Sequence, residues 1–194
     1  MPAAIAMADA ILDATERFVR RDGYNGFSID DIATAVGTDS AGVLAHFVSK
    51  AELGAALARR YTDSFLATVG EAADPSLAPA TLLSRYVDAY RHALVEDGQM
   101  CLCGILGAEV SSLPLVVADE AKQFFQRNVD WLETVLGRTA DPDLADPGKR
   151  RQRALSILSA LEGAMIIART LDQTDVLDEV AEQIVRVDEV KASA

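Results

Sequence analysis

Apolar positions recur at helical spacing almost from end to end of this chain, and no stretch alternates as a half-buried strand does. Ile11, Leu12, Ala14, Thr15, Phe18 and Val19 set the first stripe and predict a helix from Ile5 to Arg21. Asp22-Gly23-Tyr24-Asn25-Gly26 ends it with turn-forming residues. Ser28 followed by Asp31 has capping-box spacing, and Ile29, Ile32, Ala33 and Val36 form the buried stripe of a second helix. Gly37 suits the left-handed position just past it. Thr38 or Asp39 caps a third helix running to about Phe47, with Val43 and Phe47 turned inward. Ser49 with Glu52 opens a long fourth helix through Leu53, Leu57, Tyr61 and Phe65.

Beyond the proline-containing break at 74–79 the pattern continues. Helices are expected over Thr81 to Val95, over Cys101 to Ser111, from Pro114 to about Leu136, over Lys149 to Leu171 and over Asp175 to Val190. Gly98 interrupts the first of these, and 137–148 is the longest loop. The expectation is therefore an all-α chain of about nine helices. It has a head of residues 1–53 and a larger part of 54–194, meeting within the fourth helix.

Composition supports a packed chain: 50% of the 194 residues are apolar. No run is expected to approach the roughly 20 apolar residues of a bilayer span. The start, Met-Pro-Ala-Ala-Ile-Ala-Met-Ala-Asp, lacks the basic region of a secretory signal, so a cytoplasmic protein is expected. Two cysteines, Cys101 and Cys103, are too few and too close for a disulfide framework. The net charge of −12 opposes long-range attraction to nucleic acid. The head is the less acidic part, with six basic and eight acidic residues in positions 1–60.

Residues Phe27 to Leu53 change the picture most. A short helix, a glycine turn, a second short helix and the capped start of a third have the spacing of a helix-turn-helix. Ile29, Ile32, Val36, Val43 and Phe47 brace it from behind. Asp39, Ser40, Gly42, Leu44, Ala45 and His46 are expected to face outward from the third helix. Ser28, Thr38 and Lys50 lie at helix starts, where free amides suit phosphate oxygens. A cation such as Lys50 is unfavourable at a helix start unless an anion meets it. Direct readout is left to the Ser40 hydroxyl, His46, and apolar contact of Leu44 or Ala45 with a thymine methyl.

This segment resembles the TetR family of one-component transcriptional regulators. The resemblance rests on Ile11-Leu12-Asp13-Ala14, Phe18, Gly23-Tyr24, Ser28-Ile29-Asp30-Asp31-Ile32-Ala33, Val36-Gly37, His46-Phe47 and Ser49-Lys50-Ala51-Glu52-Leu53. It departs from the family where a recognition-helix tyrosine is replaced by Leu44 or Ala45. An early basic residue of that helix is replaced by Asp39 or Ser40, and no basic residues precede the first helix. The resemblance implies a dimer that binds a palindromic DNA operator, and a helical C-terminal domain with a small-molecule pocket. Cys101-Leu102-Cys103-Gly104-Ile105-Leu106-Gly107-Ala108-Glu109-Val110-Ser111 is similar to a stretch of one TetR subgroup that includes electrophile- and oxidant-sensing repressors.

The apolar breadth of 149–171, including Leu155, Leu158, Leu161, Met165, Ile166, Ile167 and Leu171, calls for cover on more than one side. Small residues Ser159, Ala160, Gly163 and Ala164 allow close helix approach. The last helix adds Val176, Leu177, Val180, Ile184 and Val187, so a homodimer through 149–171 and 175–190 is expected. Candidate effector-binding residues are Tyr86, Tyr90, Met100, Cys101, Cys103, Phe124, Trp131, Met165 and Arg169. Aromatic and methionine side chains at helical spacing also serve as plain core.

Residues two apart on a helix diverge by about 200°, so the two thiols should not bond each other, and as buried small hydrophobes they need no further role. Nothing in the chain suggests a nucleophile–base pair, a phosphate loop, a metal cluster or a cofactor, and an enzyme is not expected. The reading is a ligand-responsive DNA-binding regulator, a repressor released from its operator by a small-molecule or electrophile effector. The alternative is a helical binding or scaffold protein with a weakened head.

Overall fold

A computed structural model describes residues 2–192, and side chains only of residues 5–184. Among the described residues the chain is helical and holds no strand. The α-helices are α1 (Pro2–Asp22), α2 (Ile29–Val36), α3 (Ser40–Leu44), α4 (Lys50–Val69), α5 (Pro79–Arg91), α6 (Leu102–Ala108), α7 (Leu115–Leu136), α8 (Pro147–Leu171) and α9 (Asp175–Ala192).

The chain divides into two compact units. The first comprises residues 1–63 and 102–124, the second 64–101 and 125–194. The division falls within α4 and again within α7. The segment 102–124 thus adds α6 and the first half of α7 to the unit that contains the head.

In the first unit α1 packs on α2 and α6, and α2 on α3. Ile11, Ile32, Val43, Leu53, Leu57, Leu102 and Val117 are among its fully buried aliphatic side chains. In the second unit α8 packs on α9, and α5 on both. Its centre is aromatic: Tyr86, Tyr90 and Trp131 are buried beside Leu82, Leu132, Leu161 and Met165.

Local signals hold where the chemistry is local. Ser28 and Asp31 form a complete capping box, and Gly37 ends α2 at φ 75°, ψ 36°, a left-handed geometry that only glycine adopts freely. Several helix ends shift by a few residues, three of them with a visible cause. The third helix stops at Leu44 instead of Phe47. His46 and Phe47 both turn back to the Val43 carbonyl, and Glu52 then reaches the Val48 amide at 2.8 Å, so residues 45–49 form the turn into α4. α5 ends at Arg91, where a wider π-type turn over His92–Glu96 leads to Gly98 at φ 64°. α6 ends at Ala108, short of Ser111, and a 3-10 turn covers Val110–Ser112.

One expectation is corrected by α8. This helix is long and apolar enough to cross a bilayer by composition, with mean hydropathy 1.5 over 18 residues. Its N-terminal cap, Asp146 on the Lys149 amide at 2.9 Å, and its packing on α9 and α5 are those of a helix in a protein bundle. Val187 and the rest of α9 beyond Ile184 lie outside the described side chains.

Candidate nucleic-acid interface and core polar cluster

The outward surface of α3 is apolar. Leu44 is 41% exposed, and Ala41 and Ala45 are exposed. Val48, in the turn that follows, is 80% exposed. Ala41 and Val48 were not singled out from the sequence. The signal was there for Ala41, one turn before Ala45 on the same face. For Val48 it was not, because its exposure follows from the early end of α3.

The polar residues expected to read DNA are largely engaged within the head. Asp39 caps α3 by accepting from the Gly42 amide at 2.8 Å. Ser40 is half-buried, and its hydroxyl donates to the Asp30 carboxylate. Ser28 accepts from the Asp31 amide at 3.2 Å and donates to that residue's carboxylate at 2.6 Å, which holds Asp31 below the usual aspartate value. His46 and Thr38 are half-buried, and the Thr38 side chain lies against Gly42. With only five residues and its Gly42 amide taken by the Asp39 carboxylate, α3 is a poor helix terminus for a phosphate.

Lys50 corrects the expectation most clearly. Its ammonium donates to the Phe27 carbonyl at 2.5 Å and lies 4.2 Å from the Phe27 ring centroid and 4.7 Å from that of Tyr24. The anion that a helix-start cation needs is thus supplied by the chain itself: a carbonyl, two ring faces, and the fields of Glu109 and Asp31. Burial pushes the ammonium below the ordinary lysine value, against the pull of those carboxylates. Lys50→Ala should therefore lower head stability by about 1–2 kcal/mol in thermal unfolding. It should leave the salt dependence of DNA binding unchanged, whereas loss of a phosphate contact reduces that slope by about one.

Arg20 and Arg21 of the head are paired with carboxylates, and so are Arg59 and Arg60 further along α4. Arg60 meets Asp13 at 2.8 Å and Glu16 at 3.4 Å, and Arg20 meets Glu16 at 3.1 Å. Arg21 meets Asp22 at 2.6 Å and Arg59 meets Glu120 at 2.5 Å. Arg17 is exposed.

The expected effector residues fall into both units. Tyr86, Tyr90, Met100, Cys101, Trp131, Met165 and Arg169 belong to the second; Cys103 and Phe124 belong to the first, where Phe124 packs on Tyr61. In the second unit Tyr86 stacks on Trp131 with centroids 5.2 Å apart, and Phe65 meets Tyr86 and Tyr90 edge-on. Each polar tip has a partner: Tyr86 donates to Asn128 at 2.8 Å, and Trp131 donates to the Gly70 carbonyl at 2.7 Å. Tyr90 donates to Glu162 at 3.1 Å. Arg169 donates to the Gly98 carbonyl at 3.3 Å.

Glu162 was missed from the sequence, although a lone carboxylate in the run Ala160-Leu161-Glu162-Gly163-Ala164-Met165 is the signal for it. Its carboxylate accepts from Tyr90 and from the Cys101 thiol. Desolvation raises it above the ordinary value of 4.5, and these two donors only partly offset that. A folded-state value above the unfolded one means that the group favours folding below the unfolded value. That contribution is lost as pH rises through the folded value. The neutral variant Glu162→Gln keeps an acceptor oxygen, so its melting temperature should exceed wild type at neutral pH, the gap closing as pH falls toward 4.5. Parallel melts across that range test this, and a pH-independent gap would refute it.

A separate surface cleft of about 430 Å³ lies in the second unit, lined by Ser84, Val87, Asp88, Arg91, Asp178, Ala181 and Glu182. None of the expected effector residues lines it. Arg91 spans it, 2.7 Å from both Asp88 and Asp178.

Comparison with known proteins adds three findings. Residues 11–57 match the family described as bacterial regulatory proteins, tetR family, and residues 79–183 match the family described as transcriptional regulator LmrA/YxaF-like, C-terminal domain. A repressor of Mycobacterium sp. (strain GP1), HTH-type transcriptional repressor DhaR, is 31% identical over 114 residues, a match spanning 58% of this chain and only 56% of that protein. Among solved structures, a TetR transcriptional regulator from Legionella pneumophila has 30% identity and a TM-score of 0.83, over 92% of this chain and 95% of its own. A TetR-family regulator from Agrobacterium tumefaciens has 26% identity and a TM-score of 0.85, over 95% and 98%.

Proposed function

The chain belongs to the TetR family of bacterial regulatory proteins, and from that premise we propose that it is a cytoplasmic, homodimeric repressor whose hold on a palindromic DNA operator is relieved by a small-molecule effector. The observation that carries the DNA half is the helix-turn-helix itself: α2, the left-handed Gly37 and α3, braced by Ile32, Val43 and Phe47. Within residues 1–53 the reading surface is Ala41, Leu44, Ala45 and Val48, flanked by Ser28, Thr38 and His46. An apolar surface of this kind reads thymine methyls in the major groove.

Dimerisation is supported by the outer face of α8. Leu155, Ile166, Ile167 and Leu171 are each about half exposed, and Ser159 and Gly163 lie between them at four-residue spacing. The occupant is a second copy, since a two-fold reader of two half-sites needs an isologous interface.

The effector reading rests on the second unit's cluster of Tyr86, Tyr90, Trp131, Cys101, Met165 and Glu162, an apolar wall with a few convergent polar atoms. Glu162 is its charged handle. An effector acts by binding one dimer state better than the other. Cys101 is buried, so non-covalent recognition fits this site better than thiol alkylation.

The pairing of Arg20, Arg21 and Lys50 within the chain gives specific weight to a second reading, a helical binding protein with a weakened head. Selection from random duplexes at low salt separates the two. Recovery of a palindromic sequence supports the repressor, and failure to enrich any sequence supports the binding protein.

A further inference from the structure

The turn between α1 and α2, residues 23–27, is held by a residue 85 positions away. The Tyr24 amide donates to the Glu109 carboxylate at 3.0 Å. The Asn25 side-chain amide donates to Ser112 Oγ at 3.0 Å and to Glu109 at 3.4 Å, and Ser112 in turn donates to the Glu109 carbonyl at 2.9 Å. Gly23 makes the approach possible. Its φ is +79°, and a Cβ there would overlap the Glu109 carboxylate. The far end of the same turn, the Phe27 carbonyl, is fixed by Lys50, whose ammonium also feels the Glu109 charge. Ser28, the cap of α2, follows at once.

We propose that Glu109 is a positioning residue for DNA reading, its carboxylate fixing the turn from which the helix-turn-helix is presented. The assignment rests on the repressor reading above. A reading helix works only when its support holds it to within about half an ångström. The reading face here is apolar, and Arg20, Arg21 and Lys50 have partners within the chain, so it has little long-range charge with which to recover from misplacement. α2 packs on α1 and α3 on α2, with Ile32, Ala33 and Val43 buried, and the turn that feeds them is tied at Tyr24 by Glu109 and at Phe27 by Lys50. Freeing the first of these ties leaves the Tyr24 amide without its partner and lets the two helices sample other orientations, which lowers affinity by the fraction of time spent out of place.

The test uses the full chain and a duplex that the wild type selects from a random pool. Glu109→Ala should weaken binding about tenfold with an unchanged salt slope, because no phosphate contact is lost. Hydrogen exchange at the Tyr24 amide should speed up in step. Glu109→Gln, which keeps an acceptor oxygen, should restore both to within about threefold of wild type. Asn25→Ala, a milder variant should Glu109→Ala fold poorly, should give an intermediate loss. The assignment is overturned if folded Glu109→Ala binds like wild type, or if Gln is as impaired as Ala, which would make charge the operative property. Failure of the wild type to select any duplex overturns the repressor reading itself, and this inference with it.

Discussion

Replacing Ile167 with Asp should convert the protein from dimer to monomer and reduce operator binding by at least a hundredfold. Ile167 is 50% exposed on the outer face of α8, with Ile166 at 56% and Leu171 at 55% beside it. Covering the exposed half of an aliphatic side chain of this size stabilises association by about 1 kcal/mol, and two-fold symmetry counts it twice. A carboxylate at the same place loses that contribution and adds the cost of desolvating two like charges across the interface. The outward side chain makes little contact within its own chain, so the monomer should fold with nearly the wild-type helicity. Sedimentation and circular dichroism on one sample read both quantities. If Ile167→Asp stays dimeric, the interface lies elsewhere; if it becomes monomeric yet keeps full operator affinity, one head suffices and the palindrome argument fails.

The second large effect belongs to α3. An operator selected by the wild type and resynthesised with deoxyuridine in place of thymidine should bind about ten- to a hundredfold more weakly. Each buried methyl contributes about 0.8 kcal/mol, and two or three such contacts across two half-sites give that range. Leu44→Asp should abolish selective binding, since it sets a carboxylate facing the phosphates where an aliphatic group stood. Val48→Ser should cost less, being a smaller change on the flank. The salt dependence of wild-type binding should be shallow for the same physical reason. Arg20, Arg21, Arg59 and Arg60 are paired with carboxylates, and Lys50 is bound to the Phe27 carbonyl, so few phosphates are neutralised. A steep slope, or equal affinity for the thymine and uracil duplexes, would show that charged groups do the reading after all.

The head was legible to the extent that its signals act over a few residues. Ser28 with Asp31, Gly37 after α2, and Asp39 before α3 each satisfy a backbone group within four positions, so their roles were visible in order along the chain. Lys50 was not legible in the same way. Its position at a helix start was read correctly, but its partner, the Phe27 carbonyl, lies 23 residues back. The end of α3 was misplaced for a related reason: Glu52 bonds Val48, one residue before the cap, and draws 45–49 out of the helix. In the second unit helical spacing marked Tyr86, Tyr90 and Trp131 as inward-facing, and all three are buried. Which of them stacks, and which reaches Asn128, Gly70 or Glu162, depends on helices 42 to 72 positions apart.

By itself the sequence determined the helical class, the order of the helices, the helix-turn-helix and the family, because periodicity, caps and turn glycines are short-range and survive in one dimension. Only the tertiary structure decided which polar groups remain available. It gave Lys50, Ser40 and Asp39 partners within the chain, left Leu44 and Val48 facing out, and brought Glu109 under a turn 85 residues away. The physical reason is that a side chain's function depends on what remains unsatisfied after folding, and desolvation and pairing are settled by neighbours that the chain order does not contain.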